Sequence, residues 1–247
     1  MTGAQKNKRK RSALYAPVSF ILICAALVFG MSVFFRVSSI EVSGNLIYSA
    51  EDIIEASGIE VGDNLFFFNR SAATARIYSK LPYIELATTN PKLPNKIIIE
   101  VNESAAIACV EAEDGWWAID RGCKLLSRVE VGETASLIKV TGLTPIAPAE
   151  GDIIAPGEAE SPKVTYLTEI LRRIVALGMT PDVTEIDISG VSSPSFDYLG
   201  RFRVKLGSSD DLDYKFQLLL SAVSKLEPGD SGTLDLSIDK RAHLTYD

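Results

Sequence analysis

The organisation of the chain is decided by one apolar stretch, ALYAPVSFILICAALVFGMSVFF, which runs from Ala13 to Phe35 and holds 23 residues without a charge. As a helix rising about 1.5 Å per residue, it is about 35 Å long, enough to cross a hydrocarbon core of about 30 Å. A helix is favoured because its interior backbone groups are satisfied within the segment. We therefore predict a cytoplasmic basic tail at residues 1–12 and a transmembrane helix at residues 13–35.

The charges around this stretch predict its orientation. Five cations precede it, and only Arg36 follows it closely, so the positive-inside rule places the N-terminus in the cytoplasm and the rest of the chain across the membrane. The alternative is a cleaved signal peptide, whose apolar part is normally about 7–15 residues long and ends at a small-x-small site. The stretch here is longer and ends in Phe34-Phe35-Arg36, which favours a retained single-pass anchor.

The composition of the exported part limits its partners. Residues 37–247 contain all 32 acidic residues but only 19 of the 25 Lys and Arg, which gives a net charge of −13. The basic footprint of a nucleic-acid-binding protein is absent. About 200 residues can bury one large core or two small ones, so we expect an acidic ectodomain that faces protein partners or the cell wall.

The first exported unit, residues 37–104, is predicted to have the order β-α-α-β-β. Polar caps, glycine stops and alternating apolar residues mark its elements. They are a strand at 38–43, a helix capped by Ser49 with Asp52 and ended by Gly58, a helix at 70–80 capped by Asn69, and strands at 83–89 and 96–101 joined by a turn at 90–95.

The second unit, residues 105–247, is predicted to be a larger mixed β-sheet domain with two helices. Asp114-Gly115 is a strong hairpin signal, and two apolar stripes at helical spacing begin near Ser161 and Asp211. Near the C-terminus, Leu234, Leu236 and Ile238 alternate in a further strand. The fold class expected for the whole chain is α+β.

Side chains suited to catalysis are few. The single histidine, His243, lies five positions from the end, where a chain is seldom held rigidly enough for acid–base work. Zinc sites of the His/Cys type lack ligands. Cys109 and Cys123 could pair across neighbouring strands, but two free, partly buried thiols are favoured. We predict no enzyme activity, no catalytic residues, no metal and no cofactor.

Several segments, taken together in their order, resemble one protein family. These segments are Val37–Asn45, Gly62–Phe66, Ile97–Val101, Phe202–Gly207 and Gly232–Leu236. With them the chain resembles the bacterial division proteins FtsQ and DivIB, with a POTRA domain at residues 37–104 and an FtsQ-type β domain at residues 105–247.

The resemblance implies a function. Members of the family have no known catalytic activity and act as single-pass membrane scaffolds of the division complex at the septum. They bind the membrane-anchored proteins FtsB (DivIC) and FtsL and help to regulate septal peptidoglycan synthesis. For this chain we expect FtsB/DivIC-like and FtsL-like partners, the lipid bilayer through residues 13–35, and no nucleic acid.

The resemblance also places the partner contact on the closing strand and its tail, residues 234–246. A strand at a sheet edge offers unpaired backbone groups to an incoming strand. We expect Ile238, Lys240, Leu244 and Tyr246 to contribute to this surface, and Leu234 and Leu236 to belong to the core because of their alternation. The alternative function is a membrane-anchored cell-wall-binding protein or hydrolase.

Overall fold

The chain is an α+β protein, as predicted. The computed structural model describes residues 6–157, 160–190, 192–238 and 241–246. In chain order, the helices and strands of these residues are α1 (Lys6–Phe34), β1 (Ser39–Ser43), α2 (Ala50–Ser57), α3 (Arg70–Lys80), β2 (Ile84–Lys92), β3 (Lys96–Glu103), β4 (Ala108–Ala112), β5 (Gly115–Ile119), β6 (Leu125–Val129), β7 (Ile138–Thr141), α4 (Ser161–Ala176), β8 (Val183–Asp187), β9 (Ser195–Tyr198), β10 (Phe202–Lys205), α5 (Leu212–Val223), β11 (Gly232–Asp235) and β12 (His243–Thr245).

Helix α1 is apolar along most of its length. Its segment Pro17–Phe34 is long and apolar enough to cross a membrane, and no part of that segment is buried inside the protein. The described part of this helix already includes Lys6, ahead of the apolar stretch. This helix is compatible with a membrane anchor.

The described residues form two compact units. The smaller unit contains α1 and continues to residue 103, except for residues 81–85, which group with the larger unit. The larger unit contains the rest of the described chain.

In the smaller unit, local hydrogen bonds define the helices as predicted. Ser49 Oγ accepts a hydrogen bond from Asp52 N at 3.1 Å, and Asp52 Oδ2 accepts one from Ser49 N at 3.0 Å. This reciprocal pair is a capping box at the start of α2. Gly58 ends α2 in the left-handed conformation, and Asn69 Oδ1 accepts from Ala72 N at 3.0 Å to cap α3.

Helices α2 and α3 pack against each other beside a three-stranded sheet of order β1-β3-β2. Strand β1 runs parallel to β3, with Ile40 opposite Ile97. A set of aliphatic side chains is fully buried in this unit: Ile53, Leu65, Ala73, Ile77, Ile97 and Ile99. The element order β-α-α-β-β is confirmed.

The larger unit contains a nine-stranded mixed sheet of order β12-β11-β10-β9-β8-β7-β4-β5-β6. Its core joins the sheet to α4 and α5 through aromatic and aliphatic side chains. The rings of Phe196 on β9 and Phe216 on α5 stack with centroids 5.8 Å apart, a favourable aromatic arrangement. Strands β11 and β12 therefore lie at one end of a sheet whose middle is held by these helices.

Three details differ from the sequence prediction. Strand β2 continues to Lys92, so the turn before β3 is shorter than 90–95. Strand β9, whose Ser195–Tyr198 alternation is short, was not predicted. The predicted strand through Ile238 is wrong, because β11 ends at Asp235.

A local hydrogen bond explains where β11 ends. The Asp235 carboxylate accepts hydrogen bonds from Ser237 N at 2.8 Å and Ser237 Oγ at 2.6 Å. An Asp side chain that bonds its own backbone two residues on makes a turn. The chain therefore leaves the sheet before Ile238.

Candidate partner-binding edge of the larger sheet

Strand β12 forms one edge of the nine-stranded sheet. It pairs antiparallel with β11, in the register Thr233–Thr245, Leu234–Leu244 and Asp235–His243. Among the described residues no strand pairs with its outer side. The sequence prediction put the partner contact on residues 234–246, with the closing strand at its start. In the structure β11 is an inner strand, and the edge is formed by residues 243–245, which lie within the predicted stretch.

Strand β11 gives the edge a rigid base. It runs parallel to β10, with Phe202 opposite Gly232 and Val204 opposite Leu234. Leu234 and Leu236 are buried, which confirms their predicted place in the core. Backbone hydrogen bonds continue the pairing beyond both ends of β11, from Gly232 N to Arg201 O at 3.1 Å and from Leu236 N to Lys205 O at 2.9 Å.

Gly232 allows β12 to approach β11 closely. It has a φ of +141°, and a Cβ at this position would lie 2.1 Å from the carbonyl oxygen of Thr245. Any side chain would therefore collide with the backbone of β12. This glycine is a requirement of the strand pairing that builds the edge.

The loop before β11 is held by Arg201. Its Nη1 donates to the carbonyl oxygens of Glu227, Pro228 and Asp230 at 3.1, 2.6 and 3.2 Å. Its guanidinium also lies over the ring of Phe202, 4.8 Å from the centroid. One cation thus fixes the chain that leads into the edge, which keeps β11 in register with β10.

The four predicted contact residues lie in different settings. Leu244, in the middle of β12, is half-buried and packs against the core beside Leu234. Tyr246 directly follows β12 and is 63% exposed, while Ile238 lies in the bend after β11 and is 53% exposed. Lys240 lies outside the described residues. The structure thus leaves two large apolar side chains exposed close to the edge strand in sequence.

Sequence reasoning missed His243 and Thr245 as members of the edge. Both side chains are exposed on β12, although His243 was expected in a mobile tail. The signal that could have found the strand is the run His243-Leu244-Thr245-Tyr246, in which one apolar residue alternates with polar ones and a β-branched residue is present. Its short length concealed it.

The electrostatics of this end of the sheet are mixed. Arg203 on β10 pairs with Asp197 at 2.8 Å and with Asp187 at 3.6 Å. Burial alone would raise the pKa of Asp235, but the hydrogen bonds from Ser237, helped by the charge of Lys205, hold that pKa below its ordinary value. The edge therefore carries a fixed negative charge at the turn that follows β11.

Groups that could carry chemistry are placed unfavourably for it. Cys109 and Cys123 are free, as predicted, and both are fully buried rather than partly buried. Burial raises the pKa of these thiols to about 11 and about 12. Thiols with such pKa values are protonated at neutral pH and are poor nucleophiles. In the described part of the chain, no group of three His, Cys, Asp or Glu side chains is arranged to hold a metal ion.

Comparison with known proteins shows what the chain resembles. Residues 35–104 match the model of the POTRA domain of FtsQ type. The chain is 28% identical over 240 residues to the cell division protein DivIB of Clostridium botulinum strain Hall, an alignment that covers 95% of this chain and 91% of the relative. The chain therefore carries an FtsQ-type POTRA domain and is similar over nearly its whole length to a DivIB cell division protein.

A second DivIB protein is similar to the chain. The cell division protein DivIB of Clostridium tetani is 26% identical over 194 residues, which cover 78% of this chain and 72% of that protein. The alignment with the C. botulinum protein is long enough to include both compact units. The similarity to FtsQ/DivIB proteins is thus a property of nearly the whole chain and extends beyond the POTRA domain.

Proposed function

We propose that this chain is a non-enzymatic membrane scaffold of the bacterial division complex. Its α1 anchors it with the N-terminus in the cytoplasm, and its two extracytoplasmic units, residues 37–104 and 105–247, act at the septum. The larger unit binds FtsB/DivIC-like and FtsL-like membrane-anchored proteins and so helps to regulate septal peptidoglycan synthesis. Similarity over most of the chain to relatives that are named cell division proteins supports this role.

The observation that carries the proposal is the edge formed by β12. A short edge strand with only one described neighbour can accept a strand of a partner, whose backbone supplies affinity and whose alternate side chains supply specificity. Exposed Tyr246 and Ile238 flank it in sequence. Aromatic anchors at the centre of an interface contribute strongly to binding, so Tyr246 is the main contact.

The membrane anchor is part of the binding mechanism. Confining two proteins to one membrane raises their effective concentration, so modest contacts at a short edge strand suffice. The buried, protonated thiols and the exposed single histidine favour a scaffold over an enzyme.

The test is capture of the FtsB-like partner from the same organism by the full chain in nanodiscs. Tyr246→Ala removes the proposed anchor and is expected to weaken capture by about 2 kcal/mol, or about thirtyfold. The matched control is Tyr214→Ala, which removes a 45% exposed tyrosine from α5 in the same unit. A chain truncated after Lys240, which lacks β12, should lose capture while its thermal transition persists.

Capture that survives in both Tyr246→Ala and the truncated chain would contradict the proposed site. The alternative function, wall binding or hydrolysis, is tested by incubating the chain with purified peptidoglycan. Strong pelleting or released fragments, together with no affinity for division proteins, would contradict the scaffold itself. In cells, a fluorescent fusion is expected at midcell, and uniform membrane label would count against a septal role.

A further inference from the structure

Three apolar side chains are exposed at one end of the smaller unit. They are Phe66 and Phe67 in the loop before α3, and Leu93 in the turn between β2 and β3, which are 47%, 69% and 63% exposed. We call these three residues the apolar rim. Large exposed apolar groups that lie together mark an interaction surface.

The loop of Phe66 and Phe67 is attached to the last turn of α1. Leu65 N donates to Phe35 O at 2.8 Å, and Asn64 Nδ2 donates to Met31 O at 3.1 Å. Met31 O also accepts a longer hydrogen bond from Phe35 N at 3.4 Å, so the Asn64 amide adds a second donor to a carbonyl near the end of α1. The rings of Phe35 and Phe66 meet edge to face with centroids 4.9 Å apart.

The turn of Leu93 lies at the same end of the unit. Ser38 N, just after α1, donates to Asn95 O at 2.8 Å. The parallel pairing of β1 with β3 begins at Ser39 and Lys96, so the turn before β3 lies where the chain leaves α1. Both loops that carry the rim are therefore next to the end of the apolar helix.

Helix α1 determines what this end faces. Its apolar segment ends at Phe34, so if α1 spans a membrane, Phe35 and the groups bonded to it lie at the boundary between hydrocarbon and water. Phe and Leu on the apolar face of interfacial helices are buried at that depth. Left in water, the rim would expose apolar area that burial stabilises by about 25 cal/mol per Å².

The charges beside the rim are compatible with a lipid surface. Arg36 and Lys92 are exposed there, and such side chains lay their apolar stems along a surface while their charges reach phosphate groups. The carboxylate of Asp63, which precedes Asn64 in the sequence, accepts a hydrogen bond from Glu60 N at 3.0 Å. Because the charges beside the rim have both signs, apolar contact between the rim and the lipid is the main attraction.

We propose that the apolar rim rests in the headgroup region of the membrane that anchors the chain, so that the POTRA domain lies against the lipid surface. This inference rests on the proposed anchoring role of α1. The contact adds a second attachment to the helix and restricts how the POTRA domain tilts at the membrane.

The test places a nitroxide label at one rim position of the full chain in phosphatidylcholine nanodiscs, with and without added phosphatidylglycerol. The labelled variants are Phe67→Cys and Leu93→Cys in a Cys24→Ala background. Cys109 and Cys123 stay unlabelled because they are buried and their raised pKa values keep the thiols protonated. Accessibility is measured by relaxation with oxygen, which prefers lipid, and with a water-soluble nickel chelate.

The matched control is Leu46→Cys. Leu46 is 91% exposed, and its N–H donates to the Glu103 carboxylate. Glu103 lies at the opposite end of β3 from the turn of Leu93, about 23 Å along that strand at about 3.3 Å per residue. We expect the ratio of oxygen to chelate accessibility to be severalfold higher at positions 67 and 93 than at position 46, in both lipid compositions.

Two results would overturn the inference. Labels at 67 and 93 that are as accessible to the chelate as the label at 46 would show a rim in water. Shielding that appears only when a nanodisc holds two copies would assign the rim to self-association. A label on native Cys24 separates the two proposals: lipid-exposed Cys24 with a water-exposed rim refutes the rim alone, whereas water-exposed Cys24 refutes the anchor and the rim together.

Discussion

Leu244 lies opposite Leu234 in the antiparallel pair that closes the larger sheet. Leu234 is 1% exposed, whereas Leu244 is half-buried and covers the outer flank of the same core. This residue pair therefore joins the hydrophobic core to the edge strand, where we propose that a strand of the partner pairs with β12. Because β12 is only three residues long, this apolar contact contributes much of what holds it in place.

Substitutions at Leu234, Leu244 and Tyr246 distinguish effects on folding stability from effects on partner binding. Leu234→Ala should lower the free energy of unfolding by about 2–5 kcal/mol, as for other fully buried leucines, and Leu244→Ala should cost less because its side chain is only half-buried. Tyr246→Ala should leave stability within about 0.5 kcal/mol, as for an exposed residue, while it weakens capture. Urea denaturation and partner capture measure the two quantities, and equal stability losses at 234 and 246 would contradict the packing described.

Gly232 provides a second test of the edge. Gly232→Ala places a Cβ 2.1 Å from Thr245 O at a φ of +141°, so β12 must separate from β11 or the backbone must strain, at a cost of about 1–3 kcal/mol. Gly229→Ala is the matched control, since a Cβ there meets no atom within 4 Å. We expect faster amide exchange across residues 243–245 and weaker capture only for Gly232→Ala. Unchanged exchange would show that β12 does not depend on this glycine.

Much of the fold follows from local signals in the sequence. The capping box of Ser49 and Asp52 and the Asn69 cap depend on side chains that bond the backbone within three residues, so residue type and spacing predict them. The burial of Leu234 and Leu236 follows from alternation on a strand that is covered on one face.

The edge could not be predicted in the same way. Strand β12 exists because Gly232 admits it and Leu234 packs beside it, and both act from about ten residues away in sequence. The end of β11 depends on the hydrogen bonds of Asp235 to Ser237, which compete with continuation of the strand. Ile238 therefore leaves the sheet, although its spacing matches Leu234 and Leu236.

Asp235 predicts a specific acid sensitivity. Its pKa in the folded state lies below the ordinary value of 3.8, so its contribution to stability is complete above that pH and is lost as the pH falls through the lower folded value. Asp235→Asn should flatten the decline of unfolding free energy below about pH 4. The pKa of the Asp187 carboxylate is likewise held below its ordinary value by Ser189, so Asp187→Asn should also flatten this decline. If the unfolding free energy of both variants still falls below about pH 4 as it does in the parent protein, the lowered pKa values are wrong.

Topology is testable without any partner. Cells carrying the full chain with alkaline phosphatase fused after residue 247 should be active, because that enzyme folds outside the cytoplasm, and the same fusion after Arg11 should be inactive. The physical reason is the excess of cations before the apolar stretch. Replacing Lys6, Lys8, Arg9, Lys10 and Arg11 with Gln should lower the activity of the C-terminal fusion. Retention of full activity would show that these charges do not orient α1.

The buried thiols predict a loss of stability in alkali. In the unfolded chain the thiols ionise near their ordinary pKa of 9.0, whereas burial raises the folded pKa of Cys109 to about 11 and of Cys123 to about 12. As the pH rises above 9, the unfolded chain releases protons that the folded protein keeps, so the free energy of unfolding falls. Cys123→Ala removes one of these groups and should flatten the decline between about pH 9 and about pH 11, apart from a pH-independent cost of lost packing.

Cys24→Ala makes the same chemical change in α1, outside the larger unit, and should leave the slope unchanged. The measurement is the urea midpoint of the larger unit at each pH, and equal slopes in the Cys123→Ala and Cys24→Ala chains would contradict the role of burial at Cys123.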